Sequence, residues 1–184
     1  ETELLTQGTV LVTFLYPALN ADLVKRLAER DVTAFAMDMV PRITRAQKMD
    51  ALSSQSNIAG YKAVLMAADG LDKIFPMLMT AAGTIRPAYV VILGAGVAGL
   101  QAIATARRLG AVVEVTDIRP AVKEQVESLG GRFIDMPTPE DAEDAGGYAK
   151  DLGEDFLKKQ REILTEHVAR ADAVITTALI PGKP

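Results

Sequence analysis

The stretch VVILGAGVAGLQ, residues 90–101, constrains the fold more than any other part of the chain. A run of β-branched residues leads directly into glycines at the spacing G-x-G-x-x-G, and an apolar helical pattern follows. A strand that turns sharply into a helix belongs to a parallel α/β sheet, where helices form the crossovers between strands. The same spacing holds the diphosphate of a dinucleotide in some proteins and makes an ordinary tight turn in others, so its surroundings decide. Here a strand precedes it and a helix follows it. Asp117, at the end of the strand-like VEVTD, falls about 20 residues further on, where an acid is expected.

Each position then has a physical role. Gly94 allows the tight turn, Gly96 lets the backbone approach a pyrophosphate, and Gly99 permits close helix–strand contact. The helix N-terminus offers free N–H groups and partial positive charge to phosphates. A carboxylate at Asp117 accepts hydrogen bonds from adenosine ribose hydroxyls and repels a 2′-phosphate, which favours NAD(H) over NADP(H). Arg119 counts the other way, as a residue type that accommodates a 2′-phosphate.

Strand and helix patterns alternate along the rest of the chain. TVLVTFLYP (9–17) and VTAFAMDMV (32–40) read as strands, the first buried, each ending at a proline, with a helix from Asn20 to about Arg30 between them. Ala46, Met49, Leu52, Ser56, Ala59, Ala63 and Met66 recur at the period of one long helix with a small-residue inner face. Gly60 lies within it at a cost of about 1 kcal/mol relative to Ala, which calls for a packing reason. AAGTIRPA (81–88) reads as a linker. Beyond it come strand 89–93, helix 97–109, strand 112–116, helix 120–129, strand 132–135, a polar loop at 137–153, a helix near 154–170 and strand 173–177. A doubly wound sheet usually has about six strands, so this one reads as unfinished. The expected fold is α/β, with two Rossmann-like parallel-sheet domains joined by the long helix and linker and both incomplete in this chain. Residues 1–82 form the partial N-terminal α/β domain and residues 83–184 the Rossmann domain without its last strands.

Composition excludes several functions. The 184 residues include no cysteine and one histidine, His167, so neither a thiolate nor a multi-histidine metal site can form within them. A net charge of −4 provides no electrostatic footprint for nucleic acid or an anionic membrane. No apolar run reaches the ~18 residues that span a bilayer, and no leader pattern opens the chain. The first residue is Glu1, not Met, which reads as a processed product or an excised segment of a soluble cytoplasmic protein.

Dehydrogenases that oxidise alcohols or amines move a proton with the hydride and carry a general base. His167, beside Glu166 and Arg170 on an amphipathic helix, reads as a solvated helix residue. Hydride transfer between two nicotinamide rings needs no base, only binding and orientation. The best candidate for a nicotinamide-side site is Arg42 to Ser53. Gln47, Asp50 and Ser53 recur at i, i+3, i+6 at the start of the long helix, where a carboxylate suits the helix dipole. The same residues equally suit N-terminal capping and a solvated face.

RITRAQKMDALSSQSNIAGYKAVLMAA, TAAGTIRPA, VVILGAGVAGLQAIATARRLGAVVEVTDIRP, GGYAKDLG and TTALIPGKP together resemble the proton-translocating NAD(P) transhydrogenase family, in its NAD(H)-binding alpha subunit or domain I. The RAQxxDxLSS block and the TTALIPGKP ending carry that resemblance specifically; the glycine motif does not. The resemblance implies an oxidoreductase and translocase, Re/Si-specific, assembled from several components. Domain I binds NADH in a cleft between two α/β domains and passes hydride to NADP+ on a separate NADP(H)-binding component. A membrane-spanning proton-channel component couples this to proton translocation. Domain I is dimeric and peripheral to the membrane on its cytoplasmic side. The residues matching the family's nicotinamide-end catalytic set are Arg42, Gln47, Asp50 and Ser53, with Lys48 and Met49 in the same loop. Val97 matches a residue against the cofactor, and Asp117, Ile118 and Arg119 match the segment around the adenosine ribose. Gly147 and Tyr148 match a mobile loop that closes over the nucleotide, and Thr177 and Ala178 match backbone near the nicotinamide ribose. The family's domain I is longer than this chain, with sequence expected before Glu1 and after Pro184.

Two rivals remain at this point. Alanine dehydrogenase shares the architecture, but Tyr16 of TFLYPALN stands where that family's histidine is expected. A module that binds NAD(H) to control a partner, and transfers nothing, is the other.

Overall fold

The computed structural model describes residues 2–136 and 154–178. The chain folds as two compact units, Glu1–Ser56 and Asn57–Pro184. In the first unit, β1 (Val10–Thr13) and β2 (Thr33–Ala36) pair in parallel, and α1 (Ala21–Glu29) connects them. Leu15, Leu27 and Val32 form the core, with Leu11, Leu23 and Val24 packed on it. Both strands are shorter than the apolar runs suggest, and their residues alternate between exposed and half-buried instead of being buried. The chain leaves β1 in a turn that Asp38 pins, its carboxylate accepting the N–H groups of Leu15 at 2.6 Å and Tyr16 at 3.0 Å. Tyr16 takes the left-handed conformation there, with φ +46°.

The expected long helix begins later than its periodicity suggests. Thr44–Met49 is 3-10 helix, the backbone breaks at Asp50, and α2 runs over Ala51–Gly70. Asp50 causes the break. Its carboxylate accepts the Ser53 N–H at 2.9 Å and the Ser53 hydroxyl at 2.6 Å, the geometry of a helix N-cap. Gln47 therefore does not share a helix face with Asp50 and Ser53. The buried stripe of α2 is Gly60 and Val64, flanked by Ala63, Ala67 and Ala68, whereas Met66 and Ala59 are exposed. Gly60 selects this face, because a Cβ there would lie 2.1 Å from the Ala98 carbonyl oxygen.

The second unit contains a four-stranded parallel sheet made of β5 (Tyr89–Leu93), β6 (Val112–Thr116), β7 (Arg132–Phe133) and β8 (Ala173–Thr176), in the order β7-β6-β5-β8. This is the beginning of the doubly wound order, with its switch point between β5 and β8. α3 (Val97–Arg108), α4 (Lys123–Ser128) and α5 (Glu154–Ala169) follow β5, β6 and β7 in sequence. Val90, Ile92, Ile103, Val113, Val115 and Val126 fill the core, and Val64 of α2 packs into the same cluster. The second half of α2 thus belongs to this unit, and the units divide at 56/57 instead of the expected 82/83. The stretch read as a linker is largely an antiparallel hairpin, β3 (Leu78–Thr80) with β4 (Gly83–Ile85). Its residues are all exposed, so no apolar alternation marked it.

Candidate nucleotide-binding site

The carboxyl ends of β5, β6 and β8 meet at one edge of the sheet, the place where α/β folds bind ligands. Leu93 ends β5, and Gly94 turns the chain with φ +102° while its N–H donates to the Thr116 carbonyl at 2.8 Å. Thr177 lies across the turn. Its hydroxyl donates to the Gly94 carbonyl at 2.9 Å, and its N–H donates to Leu93 O at 2.8 Å. Ala178 N–H also reaches Leu93 O, at 3.2 Å. The turn and the 177–178 segment, far apart in sequence, are thus one structure.

The three glycines differ in what requires them. A Cβ at Gly94 would lie 2.9 Å from Ala178 N, and one at Gly99 would lie 1.9 Å from the Gly94 carbonyl oxygen. The protein's own packing accounts for both. At Gly96 no atom of the described residues beyond its chain neighbours lies within 4 Å of where a Cβ would be, and φ is an ordinary −77°. Neither sterics nor backbone strain demands glycine there. The open space lies at the start of α3, beside the unbonded N–H groups of its first turn. A diphosphate needs such a site: a backbone without side chains, facing amide donors.

Asp117 sits beside this turn, its side chain only 7% exposed. Its carboxylate accepts the Ala95 N–H at 2.7 Å and the Arg119 N–H at 2.9 Å, which hold it against the glycine turn. The Arg119 guanidinium adds bonds from Nε at 3.0 Å and Nη2 at 3.1 Å. Burial pushes the Asp117 carboxyl up, but these donors outweigh it and keep the group below the usual carboxylate range. Ala95 was not anticipated; its role lies in a backbone N–H, which no side-chain pattern signals. Ile118 is exposed next to the acid. Val97 opens α3 and is half-buried.

The remaining candidates lie in the first unit. Arg42, just before the 3-10 segment, and Gln47, Lys48 and Met49 within it are exposed, and Asp50 and Ser53 form the N-cap of α2. Hydrogen bonds from Ser53 lower the Asp50 carboxyl, with a smaller effect from the Arg42 charge. Gly147 and Tyr148 lie outside the described residues.

His167 is not a solvated helix residue. Its imidazole Nδ1 meets the carboxylate of Glu114, a residue buried in the middle of β6. Tyr89 OH, Arg170 Nη2 (3.0 Å) and Arg132 Nη1 (3.2 Å) donate to the same carboxylate. Tyr89 opens β5, whose other end at Leu93 lies about 13 Å away at ~3.3 Å per residue, and Gly94 follows it. The histidine therefore serves the middle and the start of the sheet, away from the glycine turn. Among the described residues there is no cluster of metal-ligating side chains, and no helix is long and apolar enough to cross a membrane.

Two family models cover nearly the whole chain: "Alanine dehydrogenase/PNT, N-terminal domain" over residues 1–59 and "Alanine dehydrogenase/PNT, C-terminal domain" over residues 63–184. The chain belongs to the alanine dehydrogenase/PNT family. Within the family its resemblance runs most strongly to transhydrogenases. An NAD(P) transhydrogenase subunit alpha of Rhodospirillum rubrum is 57% identical over 186 residues, covering 100% of this chain and 48% of the relative. The crystal structure of a transhydrogenase from Sinorhizobium meliloti matches with a TM-score of 0.86 at 50% identity, covering 100% of this chain and 49% of that one. An L-alanine dehydrogenase structure matches with a TM-score of 0.71 at 26% identity, covering 100% and 45%. The chain spans about half the length of the transhydrogenase relative and of both solved structures.

Proposed function

We propose that this chain is the NAD(H)-binding component of a proton-translocating NAD(P) transhydrogenase. The observation that carries this reading is the pairing of an open Gly96 backbone with Asp117 anchored on the Ala95 N–H of the same turn. Together they supply a place for a diphosphate and, next to it, an acceptor for ribose hydroxyls. Identity to the transhydrogenase relatives, about twice that to the solved alanine dehydrogenase, supports the transhydrogenase reaction over oxidation of alanine.

When bound, NADH supplies the hydride, and NADP+ on a separate component accepts it. The chain's own residues bind and orient. The glycine turn and the first turn of α3 hold the diphosphate, with Val97 against the cofactor. Asp117, Ile118 and Arg119 frame the adenosine ribose, and Thr177 and Ala178 lie near the nicotinamide ribose. Arg42, Gln47, Asp50 and Ser53, with Lys48 and Met49 beside them, position the nicotinamide end. Gly147 and Tyr148, outside the described residues, are assigned to nucleotide binding on the family resemblance alone. No group need take a proton, because a C–H bond breaks on one ring as another forms on the other. This agrees with His167, the only histidine, being engaged by Glu114 in the middle of β6, away from the glycine turn. A membrane-spanning component couples the transfer to proton movement. Two copies of the NAD(H)-binding component associate on the cytoplasmic side, peripheral to the membrane.

Titration with NADH and NADPH by nucleotide fluorescence, followed by mixing with an NADP(H)-binding component, tests this reading. NADH is expected to bind in strong preference and to pass hydride to an NADP+ analogue. Preferential binding of NADPH, or formation of NADH from NAD+ and alanine, would sink the proposal.

A further inference from the structure

We propose that the Arg119 guanidinium is a latch on Asp117 that the adenosine ribose of NAD(H) must displace. The inference rests on Asp117 being the ribose acceptor. A carboxylate offers about four lone-pair sites. At Asp117 all four are taken: Oδ1 by the Arg119 N–H and Nε, Oδ2 by the Ala95 N–H and Arg119 Nη2. Two ribose hydroxyls cannot bond to it until two donors leave. The Ala95 N–H is fixed, since Ala95 is 1% exposed in the glycine turn, and the Arg119 N–H is backbone of the adjoining loop. The guanidinium is the group that can move, because the Arg119 side chain is 57% exposed and has water beside it to receive its charge.

The exchange replaces two N–H donors with two O–H donors, so Asp117 stays satisfied when NAD(H) binds. A 2′-phosphate brings no donor in place of the 2′-hydroxyl. Opening the latch for NADP(H) would leave Asp117 with only its two backbone donors and set it against a second negative charge.

The test is a fluorescence titration of the full chain with NADH, NADPH and reduced nicotinamide mononucleotide, which lacks the adenosine. Wild type is compared with Arg119→Met, Arg119→Gln, Asp117→Asn and the Asp117→Asn/Arg119→Met double variant. Removing a bidentate pair whose arginine is the exposed partner should tighten NADH binding about fivefold in both arginine variants. NADPH should not tighten, the mononucleotide should bind as in wild type, and in the Asp117→Asn background Arg119→Met should bring no gain. NADH affinity that is unchanged or weakened in both arginine variants overturns the latch while leaving the ribose acceptor in place. Undiminished NADH binding by Asp117→Asn overturns the acceptor itself.

Discussion

Gly96 and Gly99 lie three residues apart, yet their substitutions should fail differently. Gly96→Ala meets no atom of the described residues and an ordinary backbone conformation, so its thermal midpoint should stay at or slightly above wild type. Its added methyl occupies the space assigned to the diphosphate, and NADH affinity should fall at least about tenfold, roughly 1.4 kcal/mol. Gly99→Ala places a methyl against the Gly94 carbonyl and the Thr177 hydroxyl and should destabilise the fold by about 1–3 kcal/mol. Calorimetry and NADH titration on the two variants check the pair. Loss of stability without loss of binding at Gly96 would reverse the assignment. Asp50 requires separating two roles in the same way. Asp50→Asn keeps an oxygen for the Ser53 N–H, so α2 should remain capped while hydride transfer to the partner slows. If transfer is unchanged in both Asp50→Asn and Gln47→Asn, the nicotinamide-end role is removed and capping is all that is left.

At the scale of elements, Glu114 joins β5, β6, β7 and α5 through Tyr89, Arg132, His167 and Arg170. Burial pushes its carboxyl up, and the hydrogen bonds from Tyr89, His167 and Arg170 more than offset that, leaving it below the ordinary range. A carboxyl whose value is depressed by folding contributes stability above its unfolded value near 4.3 and loses it as pH falls through the folded value. The unfolding midpoint should therefore drop as pH falls below about 4, and Glu114→Gln should flatten that slope while costing about 2 kcal/mol at neutral pH. Tyr89 behaves oppositely. Burial, with the bond to Glu114 next, pushes its hydroxyl up to about 12. That contribution is complete below pH ~10 and lost as pH rises from there toward 12. Ultraviolet titration should show one of the four tyrosines ionising near pH 12, and Tyr89→Phe should remove it.

For the whole molecule, the proposed reaction predicts a protein that binds NADH but turns over nothing alone. Activity should appear only when an NADP(H)-binding component is supplied. Absorbance at the NADH band, followed with NAD+ and alanine, should stay flat. A rate there would return the chain to the alanine dehydrogenase branch of its family.

The amino-acid sequence determined the elements around the glycine turn. β5, α3 and β6 fall where their apolar runs and glycine spacing put them, within a residue, because those signals are local and each element is buried against its neighbours in sequence. It also determined the α/β class and the meeting of Gly94, Asp117 and Thr177 at one sheet edge, since parallel pairing carries the ends of successive strands there. Tertiary structure alone decided the rest. The start of α2 depended on which of several polar residues captured a free N–H, and its buried face on a close approach of Gly60 to Ala98. The β3–β4 hairpin has no buried side to leave a pattern. His167 met Glu114 across 53 residues of chain, and the guanidinium of Arg119 could have faced solvent as easily as Asp117. Periodicity records which residues avoid water, whereas these contacts depend on which charges and backbone groups the finished fold brings within about 3 Å of one another.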